Sequence, residues 1–148
     1  MNSLVCCDVR PKSKRYLEAL ALRNQVLRDP LGLVFTPEEE ADEPLSLHLV
    51  AMLDDCVIGC LVLTPAQEEG VVRLRQFAVR PDLQGQGVGR QLGIYAEQFS
   101  VDKGFTRIMM YARASVTGFY VRLGYVQEGE AFEEIGIPHV VMAKALSR

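Results

Sequence analysis

The stretch QFAVRPDLQGQGVGRQL, Gln76 to Leu92, sets Gly85, Gly87 and Gly89 at alternate positions between a β-type run and a helix-type run. Glycine loses the most backbone freedom on folding, so three in so short a space need a reason beyond a turn, which needs one. A dinucleotide loop of the form G-x-G-x-x-G would require glycine at Arg90 or Leu92, and a P-loop would require glycine at 90 with Lys and Ser/Thr following. The sequence supplies neither. What fits is an anion site, in which unpaired N–H groups and the positive end of a helix dipole hold phosphate oxygens close to a backbone without side chains. The spacing by itself does not name the ligand.

The elements around the loop follow from periodicity and punctuation. SLVCCDV reads as a strand, and KSKRYLEALALRNQVLR as a helix ended by Pro30 and Gly32. TPEEEADEP predicts a short helical turn with Thr36 as N-cap. LSLHLVAML and CVIGCLVL flank Asp54-Asp55 as a hairpin, and VVRLRQFAV adds a third strand. VGRQLGIYAEQFSVDKG is helical up to Gly104, TRIMMYA is a strand, and SVTGFYVRL is a short helix. GYVQEG reads as a brief strand or turn, and GIPHVVMAKAL as the closing strand. The order predicts an α/β chain of the α+β kind, one mixed sheet with helices on its faces, in a single domain spanning 1–148.

Composition narrows the function. A net charge of -3 argues against general nucleic-acid binding, and the early Arg10, Lys12, Lys14 and Arg15 read as a solvated helix start. No apolar run is long enough to cross a bilayer, and the N-terminal charges follow an apolar run, the reverse of a secretion signal. Cys6, Cys7, Cys56 and Cys60 have neither a redox nor a zinc spacing, and there are only two histidines. Buried free thiols in a reducing cytoplasm, with no metal, are the expectation.

Two motifs carry a family resemblance. Gln84-Gly85-Gln86-Gly87-Val88-Gly89, preceded by Ala78, Val79 and Pro81, resembles the Q/R-x-x-G-x-G/A motif of GNAT-superfamily N-acetyltransferases. GFYVRLGY, through Phe119, Tyr120, Gly124 and Tyr125, resembles that family's F-Y-x-x-x-G-F segment, and GIPHVVM its small ElaA-like branch. The resemblance covers roughly residues 70 to 145; the front third agrees only in the order of its elements.

The resemblance implies a mostly antiparallel sheet splayed in its middle, acetyl-coenzyme A as cosubstrate, and an amine as acceptor. It puts the pyrophosphate on the backbone amides of Gln84, Gly85, Gln86, Gly87, Val88, Gly89 and Arg90. It puts main-chain groups of Phe77, Ala78 and Val79 along the pantetheine arm, with the Phe77 N–H facing the acetyl carbonyl. Phe119 walls the cofactor or packs in the core. Tyr120 would give its phenolic proton to the leaving thiolate. At the position seven before this tyrosine, where the family often has Asn or Gln, the chain has Arg113, which puts any inherited polar contact there in doubt. Dimers are common in the family, so a homodimer is open.

The acceptor side is less readable. A primary ammonium must shed a proton before attack, at about 4–5 kcal/mol at neutral pH. Arg75 could hold an acidic group, Glu133 and Glu134, read as a loop, could hold a cationic one, and His48 and His139 read as structural strand residues. The acidic Glu38 to Glu43 could favour cationic amines, though a solvated face is the simpler reading. No base can be assigned. A non-catalytic acyl-coenzyme A sensing module is the competing reading, against which the intact tyrosine and glycines stand.

Overall fold

The computed structural model describes residues 4–28 and 46–147. The helical turn expected over 36–44, Pro30, Gly32 and the acidic run Glu38 to Glu43 lie outside these described residues. The chain order is β1 (Val5–Val9), α1 (Lys14–Arg23, continued as a π-helical turn Asn24–Arg28), β2 (Leu47–Leu53), β3 (Cys56–Pro65), β4 (Val71–Val79), α2 (Val88–Asp102), β5 (Arg107–Arg113), α3 (Thr117–Arg122), β6 (Val126–Glu134) and β7 (Ile137–Ala145). The seven strands form one sheet in the order β1-β2-β3-β4-β5-β7-β6. Every neighbouring pair is antiparallel except β4 and β5. No helix among the described residues is long and apolar enough to cross a membrane.

Local chemistry explains the boundaries. Ser13 caps α1, its Oγ accepting from the Tyr16 N–H at 3.2 Å. Asp54 and Asp55 both have positive φ, 52° and 65°, the two-residue geometry whose twist matches a hairpin. Arg15, in the first turn of α1, is tied to Glu18 and to Asp55 of that hairpin. Gly104, with φ of 95°, closes α2 while the Phe105 N–H reaches back to the Ser100 carbonyl at 3.0 Å.

Strand alternation divides the core into two layers. Leu49, Ala51, Ile58 and Leu61 pack with Leu92 and Ala96 of α2 and Tyr120 of α3. Val50, Cys60 and Ala78 pack on the other face with Ala19 and Leu22 of α1. Each fully buried aliphatic side chain contributes about 1.5–3 kcal/mol, so Leu92, with none of its surface exposed, anchors α2 over the sheet.

Two expectations need correction. The segment read as a brief strand or turn is the longer, nine-residue strand β6, which contains Glu133 and Glu134 rather than leaving them in a loop. Its residues are all solvent-exposed, so no period-two pattern marks it, and Ile135-Gly136, at φ 47° and 72°, turn it tightly into β7. The second correction concerns the thiols. None of the four forms a disulfide, but Cys60 alone is buried; Cys6 and Cys7 are half-buried and Cys56 is exposed. Cys6 and Cys7 do join opposite core layers, as adjacent strand residues must. Desolvation foremost pushes both thiols above their ordinary range, which leaves them unreactive.

Candidate active site

β4 and β5 pair only at Val71–Arg107, Val72–Ile108 and Arg73–Met109. Both strands run on past that point, to Val79 and Arg113, so the sheet opens between them. A cavity of about 660 Å³ occupies the opening. The strand that borders it is also phase-shifted. Opposite β3 the register jumps from Arg75–Val62 to Ala78–Cys60, and the extra residue is absorbed where Gln76 takes φ of 54°. As a result Val72 and Leu74 face the α2 layer, and so do Phe77 and Val79, while Ala78 faces α1. By the same alternation Arg73 and Arg75 point to the α1 side. Arg23, buried in α1, donates from Nη1 to the Gln76 Oε1 at 2.6 Å and holds the bulge in place.

The glycine loop forms one end of the cavity. Gly85 and Gly87 have φ of 81° and 87°, and a side chain at either would meet nothing within 4 Å, so a bare, open backbone faces the space. Gln91 donates to the Gly87 carbonyl at 3.0 Å, so the N–H groups of Val88, Gly89 and Arg90 precede the first bond of the ladder. Gly89 differs: a Cβ there would lie 3.3 Å from the Phe119 ring, so this glycine lets α3 approach α2. Gln84 donates from its amide to the Val79 carbonyl at 3.0 Å, fastening the loop to the end of β4.

Tyr120 lines the cavity from α3. Its ring lies 6.4 Å from Phe77 and 5.1 Å from Phe119, and it is 8 % exposed. Burial pushes its phenol well above the usual tyrosine range, so the proton stays on oxygen throughout neutral pH. Tyr125, behind it at 5.7 Å, is raised too, by burial first and then by the Glu97 carboxylate. Lys144 of β7 donates to Glu97 Oε1 and to the Leu123 carbonyl, each at 2.7 Å, and so ties α2 to the end of α3.

The α1 side of the opening is polar. The Arg73 guanidinium stacks 4.2 Å from the centre of the Tyr111 ring, and Tyr111 meets Phe132 edge-on at 5.5 Å. Burial first, then Arg75, lowers Arg73 from its ordinary value, against which Tyr111 and Glu134 act. His139 pairs with Arg113 across β5 and β7. Its Nδ1 lies 2.7 Å from the Ile137 carbonyl, which can only accept, so Nδ1 carries the proton. The neutral ring therefore has its lone pair on Nε2, 3.9 Å from Glu134 Oε2.

Of the residues singled out from sequence, Arg75, Phe77, Val79, Gln84, Gly85, Gly87, Gly89, Arg90, Arg113, Phe119, Tyr120, Glu134 and His139 line the cavity. Ala78 turns into the α1 layer, Val88 packs its side chain in the core, and the Gln86 amide turns back to the Asp82 carbonyl. Glu133 lies off the cavity wall, where its neighbour Glu134 takes part. Arg73, Gln76 and Tyr111 were not anticipated. Alternation could have paired Arg73 with Arg75, but the bulge at Gln76 leaves no mark in composition. His48 is buried and packs edge-on against Tyr16 at 4.9 Å, away from the opening. Among the described residues no group of three or more His, Cys, Asp or Glu is placed to hold a metal ion.

Comparison with known proteins agrees with this architecture. Residues 14–125 match the Acetyltransferase (GNAT) family. The uncharacterized N-acetyltransferase YitI of Bacillus subtilis is 29% identical over 131 residues, which covers 84% of this chain and 88% of YitI. The crystal structure of a candidate N-acetyltransferase from Lactobacillus plantarum superposes with a TM-score of 0.86 at 27% identity, covering 98% of this chain and 99% of that one. Escherichia coli ElaA shares the fold, with a TM-score of 0.83 at 21% identity over 96% of this chain and 99% of its own. So does an aminoglycoside 6'-N-acetyltransferase crystallised with coenzyme A, at 0.80 and 16% over 97% and 98%.

Proposed function

The chain belongs to the acetyltransferase (GNAT) family, and on that premise we infer that it moves an acetyl group from acetyl-coenzyme A to a primary amine by direct attack. The observation that carries this reading is the opening between β4 and β5, which has a bare helix mouth at one end and a buried phenol on its wall. The residues fit the cosubstrate: two glycines at positive φ leave open space in front of unpaired amides, as a diphosphate requires. When bound, acetyl-coenzyme A supplies the activated acyl group. The amides from Gln84 to Arg90 bind its phosphates, and the unpaired edge of β4 beyond Arg73 aligns its arm.

The Phe77 N–H polarises the acyl oxygen, a role supported by the bulge at Gln76, which turns that peptide out of the regular pleat. Tyr120 donates its proton, or first a hydrogen bond, to the departing sulfur; its raised pKa keeps the proton available and makes full transfer late. His139 on the cavity wall, with Glu134 beside its Nε2, is the group assigned to accept the proton of the attacking amine.

The test is release of free thiol from acetyl-coenzyme A against a panel of amines, with cofactor binding measured separately. Amine-dependent release is expected. Tight cofactor binding with no release above background would replace the transferase by an acyl-coenzyme A sensing module.

A further inference from the structure

We propose that the acceptor is a primary amine bearing an oxyanion, carboxylate or phosphate, which Arg73 and Arg75 grip, with Arg113 on the wall of the same cavity. The proposal rests on the acetyltransfer reading and names the class of its substrate. All three arginines line the cavity. Away from it, Arg15, Arg80 and Arg107 each have a carboxylate partner: Glu18 and Asp55, Asp82, and Glu128. Among the described residues the three in the cavity have none within salt-bridge distance. Arg75 donates to the Thr64 hydroxyl at 3.4 Å and Arg113 to the Leu27 carbonyl at 3.1 Å. Arg73 lies over the Tyr111 ring, and its Nε is buried without a hydrogen-bond partner.

Burying a guanidinium without a counter-charge is costly, and the cost is offset when a ligand brings the charge. A guanidinium fork matches the two oxygens of a carboxylate or phosphate, and the Tyr111 ring fixes the plane of that fork. Among the described residues Glu134 is the carboxylate on the cavity wall, and it lies beside His139. The described wall therefore carries more guanidinium than carboxylate charge. It repels a second ammonium on the acceptor, and it favours the neutral form of the attacking amine.

The experiment uses the full chain loaded with coenzyme A and four amines of matched length: β-alanine, 2-aminoethyl phosphate, propylamine and 1,3-diaminopropane. Affinity is read by ligand-observed NMR, and thiol release is read with acetyl-coenzyme A. One or both anionic amines should bind at least about tenfold tighter than propylamine, with the diamine weakest. The better of the two identifies the oxyanion. In Arg73→Gln, and separately Arg75→Gln, the ratio of anionic to neutral amine should fall toward one, while cofactor affinity and melting temperature hold. Equal affinities, or a diamine that binds best, would overturn the proposal while leaving acetyltransfer standing. If no amine releases thiol from a cofactor-loaded protein, the transferase reading falls, and the order of affinities alone decides for or against the oxyanion site.

Discussion

The two sides of the opening between β4 and β5 are built from different materials. On the α2 side the proposed contacts are mostly main-chain, the amides of the glycine loop and the peptide of Phe77, with Tyr120 as the proposed proton donor and Gln84, Arg90 and Arg122 also on the wall. On the α1 side it falls to side chains drawn from several strands: Arg73 and Arg75 of β4, Tyr111 and Arg113 of β5, Glu134 of β6 and His139 of β7. A site made of backbone tolerates almost any side chain but demands particular dihedral angles. A site made of side chains demands identities and tolerates ordinary dihedrals. The first kind serves a cosubstrate that does not vary; the second serves a partner that can.

Four substitutions and a titration can break that contrast. Tyr120→Phe removes the proposed proton donor on the α2 side, so kcat should fall about 100-fold while cofactor affinity stays near that of the parent. Unchanged kcat would strip Tyr120 of its role. Gly87→Val forces a branched side chain into φ of 87° and into the space before the amides. Acetyl-coenzyme A affinity by calorimetry should drop about 50-fold, and parent-like affinity would move the phosphates elsewhere. Arg23→Met leaves Gln76 without its donor, and denaturant unfolding should show a loss of about 2 kcal/mol with kcat/KM reduced as the bulge relaxes. Gly89→Ala presses a methyl toward Phe119, which costs about 1 kcal/mol and weakens cofactor binding only a few-fold.

The smallest effect is one of shape. Because burial raises the Tyr120 phenol, a basic limb caused by its ionisation should be absent below about pH 10. A limb near pH 8.5 that vanishes in Tyr120→Phe would contradict the assignment. The same sign governs stability. The unfolded chain ionises tyrosine from about pH 10 while the buried Tyr120 and Tyr125 resist, so stability is level below that pH and declines above it.

The contrast also decides what could be read in advance. Gly85, Gly87 and Gly89 announce the loop because a special backbone needs a special residue, although sequence does not separate the two that free the backbone from the one that admits Phe119. Tyr120 was singled out through the resemblance of GFYVRLGY to the family segment. Arg73 and Tyr111 carry no such mark, because an arginine and a tyrosine on half-exposed strands are ordinary until the sheet brings them together. β6 was underestimated for a related reason: an edge strand wet on both faces shows no alternation, and its pairing with β7 exists only in three dimensions. The hairpin at Asp54-Asp55 and the stop at Gly104 were readable because each is settled within a few residues.

The single irregular residue in β4 has a further effect on how such a protein can change over time. Since Gln76 absorbs one position, the stretch before it and the stretch after it answer to separate masters. On the proposed reading, replacements at 73 and 75 can retune which molecule is welcomed without jarring 77 and 79, which are assigned to the thioester's handle. A lineage could thus acquire new tastes by drift upstream of one kink and never have to relearn its grip.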